Sequence, residues 1–440
     1  MGSSSPERTP WHCIIEIEHG HSSSQEISPT IIFKVPRRLR EVNERAYEPN
    51  VISVGPYHYR KPHLARMEDI KKRWFEEIVD ETHLGLDQFR KEMKHLERKT
   101  RKCYEQPLPP DLEDEEKFVD MMVYDGCFVV QLIRKGHLCD FWKLGLHVSR
   151  DIRGDLLLLE NQLPFFVLLK LYGMIEPNPG PRRHFCKLVT SALVFFDRDP
   201  PNVHRNTASI RHLLGLVHST FYHSLLPTQA EIARREENFQ IPPYTMPSAT
   251  ELEDAGIHFS GVPIQNMQNQ NQGKGNMFDI TFDNSTKELK IPILAVGDST
   301  ERTFGNYMAY EQLFAWEVPN FFVDYVVFMD KLINTSKDVE LLRKNEIIVN
   351  LLGNNEAVTQ MFNKLRHSVC YSPEGFYYRD IASQVNEHCK RKRNIWKAKL
   401  KKDYFNTPWS PILFLAALVL LLLTILQTIF SVLSYYHQKQ

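Results

Sequence analysis

The residues best suited to chemistry are two histidines and one carboxylate. His58 and His63 lie five residues apart in the basic stretch 57–63. Metal ligation needs three or four converging ligands, so two histidines alone do not define a metal site. Glu160 interrupts an apolar run, where a carboxylate can act as a general acid or be held by buried hydrogen bonds. A single carboxylate is not a mechanism, so the structural role is favoured.

Short catalytic motifs are absent from the sequence: it contains no HExxH, GxSxG, Walker A or GxGxxG pattern. The seven cysteines form no CxxC pair, which disfavours a zinc ribbon, a redox motif and a dense disulfide scaffold. We therefore expect no enzyme, no cofactor and no metal. The alternative is a membrane-bound enzyme with a dispersed site near Glu160 and His58.

The charge of the chain is balanced overall but concentrated near one end. The 440 residues carry 54 Lys and Arg against 54 Asp and Glu, which argues against a nucleic-acid-binding protein. Residues 390–408, here called the basic neck, contain Asp403 as their only acidic residue. The basic residues of the neck are Lys390, Arg391, Lys392, Arg393, Lys397, Lys399, Lys401 and Lys402. The chain before the neck is therefore acidic.

A long uncharged segment follows the basic neck. Residues 412–433 carry no charge, and about 22 helical residues cross roughly 30 Å of hydrocarbon. We predict one transmembrane helix at 409–436 and a short tail at 437–440, with a buried core helix as the alternative. Its apolar positions include Ile412, Leu415, Leu418, Leu422, Ile425, Ile429 and Leu433. The expected interface anchors are Trp409, Tyr435 and Tyr436.

The basic neck sets the expected orientation. Lys and Arg stay on the cytosolic side of a membrane, and only Lys439 lies beyond the span. We therefore expect a C-terminally anchored protein, with the lipid bilayer as a partner and the body in the cytosol. An extracellular body is the alternative, because Asn284 and Asn334 begin glycosylation sequons. Residues 390–393 also resemble a nuclear import signal.

Helical periodicity dominates the rest of the chain. The Ser- and Pro-rich residues 1–30 are typical of a disordered arm, and residues 31–389 are expected to form a mainly α-helical soluble domain. The expected fold class is thus a large helical domain with a small β-hairpin and one C-terminal transmembrane helix. Helices are predicted from Leu64 onward, among them 155–170, 209–225, 303–332, 339–352, 357–369 and 381–400.

The apolar run 155–170 contains three adjacent polar residues, Glu160, Asn161 and Gln162. The run is too polar for a bilayer and fits a central core helix that Pro164 must bend or restart. We expect the apolar residues on both sides to be buried. The three polar side chains then need hydrogen-bond partners between them, and they form a structural polar knuckle.

Alternating residues predict one β-hairpin at about 278–294. Pro292 lacks an N–H, which favours an edge position for the second strand of this hairpin. The Gln- and Asn-rich stretch at about 260–276 is expected to be an exposed loop. Ser248 and Glu251 have capping-box spacing, which predicts the start of a short helix.

Several segments match the motifs of a known family. They are residues 35–40 (VPRRLR), 46–58 (AYEPNVISVGPYH), 64–71 (LARMEDIK), 122–128 (MVYDGCF), 158–166 (LLENQLPFF), 248–252 (SATEL) and 347–353 (IIVNLLG). With the basic neck and the terminal span, the chain resembles the plant family called domain of unknown function 247 from about residue 31 to its end. The resemblance implies a plant membrane protein and supplies no catalytic residues. Some family members are associated with self-incompatibility in grasses and with plant defence, which implies recognition of an unknown protein partner.

Overall fold

The computed structural model describes residues 30–135, 145–176, 180–198, 210–221, 245–264, 276–315, 317–367, 369–373, 375–390 and 410–437. The predicted arm therefore lies outside the described residues, apart from Thr30. The chain divides into two compact units. Unit 1 contains Met1–Asn238, Gly297–Val326 and Asn363–Tyr371, and unit 2 contains Phe239–Val296, Val327–Phe362 and Ser372–Gln440. Each unit is therefore assembled from separate stretches of sequence.

The described chain is mainly α-helical, which confirms the predicted fold class. In chain order its helices are α1 (Arg37–Arg40), α2 (Ala65–Thr82), α3 (Leu86–Lys102), α4 (Glu115–Lys135), α5 (Leu146–Asp155), α6 (Phe165–Ile175), α7 (Pro181–Phe195), α8 (Leu213–Ser219), α9 (Ala249–Asp254), α10 (Asp298–Leu313), α11 (Phe321–Leu332), α12 (Ser336–Lys344), α13 (Asn355–His367), α14 (Arg379–Lys390) and α15 (Ser410–His437). The strands are β1 (His258–Val262), β2 (Thr281–Asp283), β3 (Glu288–Pro292), β4 (Leu294–Val296) and β5 (Ile348–Asn350).

Helix α4 forms the centre of unit 1. Most of its side chains from Phe118 to Ile133 are buried, because apolar residues occur on every face of the helix. Helices α2, α3 and α6 pack against it. Gly126 permits the close approach of α6, since a Cβ at this position would lie 2.3 Å from Leu171 Cδ1.

The run 155–170 is not one helix, so the predicted core helix is wrong before Pro164, whereas the predicted restart at Pro164 is confirmed. Helix α5 ends at Asp155, residues 156–164 form a non-helical connection, and α6 begins at Phe165. Pro164 occupies the position before the first helical residue, where its missing N–H costs nothing. The helix therefore restarts after Pro164, and the polar knuckle lies in the connection.

Unit 2 contains the predicted hairpin, because β2 and β3 pair antiparallel with Phe282 opposite Leu289. The hairpin is one part of a larger sheet, since β1 pairs parallel with the other side of β3. The prediction that Pro292 lies on an edge strand is therefore wrong. Pro292 is the last residue of a central strand, and Ile293 donates its N–H to Val262 O at 3.0 Å in the next position. The sheet thus needs no donor from Pro292.

A second, parallel sheet joins β4 to β5, with Leu294 opposite Ile348. The predicted helix at 339–352 is wrong in its second half, because α12 ends at Lys344 and β5 follows. The β-branched residues 347–349 favour extended backbone there. Strand β1 likewise occupies the start of the loop predicted at 260–276, of which residues 265–275 lie outside the described residues.

Other predicted helices are shorter in the structure. The segment 303–332 forms α10 and α11 with a break between them, and 209–225 contains only the short α8 among its described residues. The capping box predicted for Ser248 is confirmed, because its N–H donates to Glu251 Oε2 at 3.0 Å at the start of α9.

Helix α15 is long and apolar enough to cross a membrane over Phe414–Ser431, and it is the one such helix in the described parts of the chain. The side chains of Leu415, Leu418, Leu422, Ile425, Ile429 and Leu433 are exposed along it. Lys390 ends α14. The rest of the basic neck, Trp409 and the side chains of Ile412, Tyr435 and Tyr436 lie outside the described residues.

Candidate functional site: the clamp network

The segment 50–55 of unit 1 belongs to no helix or strand, yet most of it is buried. Its backbone groups need hydrogen-bond partners, because a buried amide without an acceptor is costly. Side chains from distant parts of the sequence supply these partners. We call this set the clamp network; its central members are Lys71, Asp125, Asp155, Glu160, Asn161 and Gln162.

Asp155 binds the first three amides of the segment. Its carboxylate accepts hydrogen bonds from the N–H groups of Asn50 at 2.9 Å, Val51 at 2.7 Å and Ile52 at 2.8 Å. Arg302 donates to the same carboxylate from α10. Burial raises the pKa of Asp155, although the charge of Arg302 and the backbone donors oppose this effect. The two carboxylate oxygens thus accept the hydrogen bonds that backbone carbonyls of a neighbouring strand accept in a sheet.

Asn161 binds both an N–H group and a carbonyl group in the middle of the segment. Its Oδ1 accepts from Val54 N at 2.7 Å, and its Nδ2 donates to Ile52 O at 3.0 Å. The same Nδ2 donates to Asp155 O at 3.0 Å. The amide of Asn161 therefore uses its acceptor and both donors, in the manner of a strand partner.

Gly55 ends the segment and must be a glycine for two reasons. Its φ of +79° lies in the left-handed region, and a Cβ would lie 2.5 Å from Gln162 O. Its N–H donates to Asp125 Oδ2 at 2.9 Å. These two constraints are the physical reason for the glycine in the motif 46–58.

Lys71 is an almost fully buried ammonium group, with 1% of its side chain exposed. It donates to Asp125 Oδ1 at 2.6 Å, to Ser53 O at 2.6 Å and to Glu68 Oε1 at 2.5 Å. Burial opposes the charged form, but the attraction of Asp125 and Glu68 outweighs it and raises the pKa of Lys71. The ammonium thus has three acceptors for its three donors.

Gln162 holds the connection between α5 and α6. Its Nε2 donates to Leu156 O at 2.7 Å and to Leu158 O at 2.8 Å. Its Oε1 accepts from Leu214 N at 3.2 Å. Leu156, Leu158 and Leu159 are buried beside it. The polar side chain therefore satisfies carbonyls that a helix would have paired internally.

Glu160 fixes the start of the described chain. Its Oε1 accepts from Val35 N at 2.6 Å, and its Oε2 accepts from Arg40 in α1. Arg40 also donates to Glu48 Oε1 at 3.2 Å, and Lys61 donates to the other oxygen of Glu48. Burial opposes ionisation of Glu48, but the bond from Lys61 and the nearby positive charges lower its pKa.

His58 lies between these two carboxylates and is 1% exposed. Its Nδ1 is 3.6 Å from Glu48 Oε2, and its Nε2 is 3.7 Å from Glu160 Oε2. Neither ring nitrogen has a hydrogen-bond partner within the described chain. Burial and the charge of Lys61 lower the pKa of His58 to about 3, against the attraction of Glu48. His58 is therefore neutral at ordinary pH.

The two histidines of the sequence motif do not share a site. His63 Nε2 lies 3.1 Å from Pro49 O, whereas His58 faces Glu48 and Glu160. Among the described residues, no group of three or more His, Cys, Asp or Glu side chains is arranged to hold a metal. The clamp network instead binds the backbone of residues 50–55, and its acidic and basic side chains pair with one another.

Sequence reasoning identified Glu160, Asn161 and Gln162 but missed their partners. Asp125 carried a usable signal, because it is a charge in the middle of the apolar run 118–132. The sequence signal for a buried role was weaker for Lys71, Arg40 and Asp155. They lie in or beside the quoted motifs, but nothing in their local pattern predicts an inward side chain.

Comparisons with known proteins agree with these motifs. The model of DUF247, a family described as plant protein of unknown function, matches residues 32–423. The UPF0481 protein At3g47200 of Arabidopsis thaliana is 28% identical over 444 residues, which cover 93% of this chain and 87% of that protein. The putative UPF0481 protein At3g02645 of Arabidopsis thaliana is 24% identical over 488 residues, which cover 90% and 89%. No solved structure matches the chain.

Replacing Glu160 with alanine should destabilise unit 1. The change leaves the guanidinium of Arg40 and the N–H of Val35 without their acceptor, and breaking a buried pair costs roughly 3–5 kcal/mol. A thermal melt of the purified protein should show a lower Tm. Glu41→Ala is the control, because its side chain is 60% exposed and its loss should change stability by about 0.5 kcal/mol or less. Equal melting of the Glu160 variant and the parent would refute the structural role.

The buried histidines predict a loss of stability in acid. The pKa values of His58 and His212 are both lowered to about 3 by burial, against 6.5 in the unfolded chain. The unfolded state therefore gains protons first, and stability present above pH 6.5 is lost as the pH falls below it, by about 2 kcal/mol per histidine at pH 5. His58→Gln should make the fall of Tm between pH 7 and pH 5 shallower.

The exposed His367 supplies the control for this measurement. His367→Gln removes an imidazole that is not buried, so comparison with this variant isolates the effect of burial at His58. An identical pH dependence in the His58 variant and the parent would mean that His58 has the same pKa in the folded and unfolded states, and it would contradict the lowered pKa of the buried ring.

Proposed function

The chain belongs to the DUF247 family of plant proteins of unknown function, and we propose that it is a membrane-anchored protein that recognises other proteins. The anchor is α15, and the body lies in the cytosol. The single observation that carries the proposal is that α15 has a long apolar surface whose side chains are exposed. Such a surface is stable only when something apolar covers it.

The composition of α15 supports a bilayer as its environment. Residues 412–433 carry no charge, and the hydroxyls of both threonines bond within the helix. Thr424 Oγ1 donates to Leu420 O, and Thr428 Oγ1 donates to Thr424 O, both at 2.7 Å. A helix whose hydroxyls and backbone bond internally is compatible with hydrocarbon.

The basic neck supports a cytosolic body. It precedes the apolar segment and holds far more positive charge than the residues after it. Positive flanks stay on the cytosolic side, and each Lys or Arg near anionic headgroups adds about 1 kcal/mol of attraction. Lys390 is the last described residue before α15.

The clamp network supports recognition over catalysis. Both oxygens of Glu160 already accept hydrogen bonds, and its side chain is 6% exposed. A general acid or base must reach its substrate. One observation favours an enzyme instead, namely the two unpartnered ring nitrogens of His58. On that alternative Glu160→Ala would leave a well-folded but inactive protein.

Removal of α15 should release the protein from membranes. We expect the full chain to sediment with plant membranes after a high-salt or alkaline carbonate wash, and the chain ending at Asp403 to remain soluble. The measurement is fractionation followed by immunoblotting. Replacing the segment 410–437 with an unrelated transmembrane helix should restore sedimentation. Retention of the truncated chain after both washes would contradict a single anchor.

The two sequons test the orientation. Asn284 and Asn334 are both exposed, so glycosylation enzymes could reach them if the body faced the lumen. A cytosolic body predicts that endoglycosidase treatment leaves the electrophoretic mobility unchanged. A version carrying a cleaved signal peptide in front of residue 31 should receive glycans and provides the positive control. A mobility shift in the natural chain would place the body outside the cytosol.

A further inference from the structure

A recess lies on the surface of unit 1 between α1 and the end of α13. It has a volume of about 650 Å³ and is lined in part by Arg38, Glu41, Lys364, His367 and Cys370. The recess is open to solvent. Neither Glu160 nor His58 lines it.

The lining of the recess has an excess of positive charge. Arg38 and Lys364 are cationic, and His367 adds a third basic group. The carboxylate of Glu41 accepts a bond from Arg37 Nε at 2.6 Å, so its charge is already balanced. Lys364 and His367 are exposed and make no hydrogen bond or ion pair with other described residues. The ammonium of Lys364 is therefore a cationic group of the recess that no carboxylate of the described residues neutralises.

Arg38 is held in a defined position at the wall of the recess. Its NH2 donates to Gln312 Oε1 at 3.2 Å, and its NH1 lies 2.9 Å from Cys370 Sγ. Gln312 also bonds the backbone of Cys370, donating to its carbonyl at 2.7 Å and accepting from its N–H at 3.0 Å. Three separate stretches of unit 1 are thus tied together beside the guanidinium.

The clamp network fixes the same helix from its other side. Val35 and Arg40, which flank Arg38, both bond to Glu160, and Leu39 is 4% exposed. Leu365 and Val369 are buried next to Lys364 and His367. The backbone that carries the basic groups of the recess is therefore held in place by its neighbours. A binding site requires such fixed positions.

We propose that this recess binds a ligand that carries phosphate groups. The ammonium of Lys364 attracts a phosphate as a point charge, and Arg38 adds positive charge at the wall of the recess. The ligand is either a soluble phosphate ester or the phosphorylated headgroup of a lipid. The site does not depend on the proposed recognition of proteins, and it assigns a role to the motif 35–40 that the clamp network explains only in part.

Cys370 supplies a reporter for this site, because it is exposed and lines the recess. The full chain is reconstituted in phosphatidylcholine nanodiscs and treated with iodoacetamide, and alkylation is measured peptide by peptide. The first probe is inositol hexakisphosphate. At about four times its dissociation constant it should slow alkylation of Cys370 about fivefold. Cys186 should be unaffected and serves as the internal reference.

Charge reversal identifies the binding groups. Lys364→Glu and His367→Glu should each weaken protection by about tenfold, since each variant places a carboxylate beside the phosphate. Lys344→Glu in unit 2 makes the same charge change as Lys364→Glu at an exposed position, and Cys370 should be protected in this variant as in the parent. A melting curve for each variant verifies folding, and His367→Glu keeps the test decisive if Lys364→Glu is unstable.

The two sources of phosphate are separated by a second arm. Nanodiscs that contain phosphatidylinositol 4,5-bisphosphate should protect Cys370 if the ligand is a lipid headgroup, whereas protection by the soluble compound alone identifies a phosphate ester. Equal protection by polyglutamate would reassign the recess to acidic peptides and overturn the proposal. Absence of protection by both phosphate probes, or protection that survives both charge reversals, would overturn it as well.

Discussion

The structure of unit 1 depends on one constraint: the buried backbone of residues 50–55 must find hydrogen-bond partners without a neighbouring strand. Each unmet amide would cost about 1–3 kcal/mol. Asp155, Asn161 and Asp125 meet the need from three places in the sequence. Because each of these side chains must itself be held, the constraint extends to Lys71 and Arg302. The packing of several helices around this segment follows from these pairings.

This arrangement gives a physical reason for charged residues in an apolar interior. A buried carboxylate is tolerated only where donors surround it. Removal of one partner leaves the remaining buried groups without compensation for their lost hydration. The same geometry explains why Glu160 resembles a catalytic residue in the sequence. Val35 and Arg40 donate hydrogen bonds to its two oxygens, so the carboxylate binds groups of its own chain and not a substrate.

The sequence predicts elements whose information is local. Helices α2, α3 and α4 follow from apolar spacing, and α9 follows from the capping box of Ser248, because both signals lie within a few residues. The connection 156–164 could not be predicted in this way. Its leucines satisfy a helical pattern, and only contacts such as that of Gln162 with Leu214 make the irregular backbone stable.

The lack of long-range information in a local sequence pattern also explains the wrong predictions in unit 2 and the members of the clamp network that were not predicted. Residues 348–350 pair with residues 294–296, which lie more than 50 positions earlier in the sequence, and no local pattern records that neighbour. The bond between Arg40 and Glu160 joins residues 120 positions apart. Asp125 was visible as a charge within an apolar helix, but its acceptor role toward Gly55 was not.

The discontinuous course of the chain has a consequence for the mapping of binding regions with fragments. A fragment that ends before residue 297 lacks Arg302 and Asn306. Asp155 would then lose its guanidinium, and the amide of Leu159 would lose the acceptor that lies 2.9 Å away in Asn306. Unit 2 likewise needs Ile348 to pair with Leu294. Cutting the chain at one point therefore damages interior hydrogen bonds, so failure of a fragment to bind reports misfolding before it reports the location of a surface.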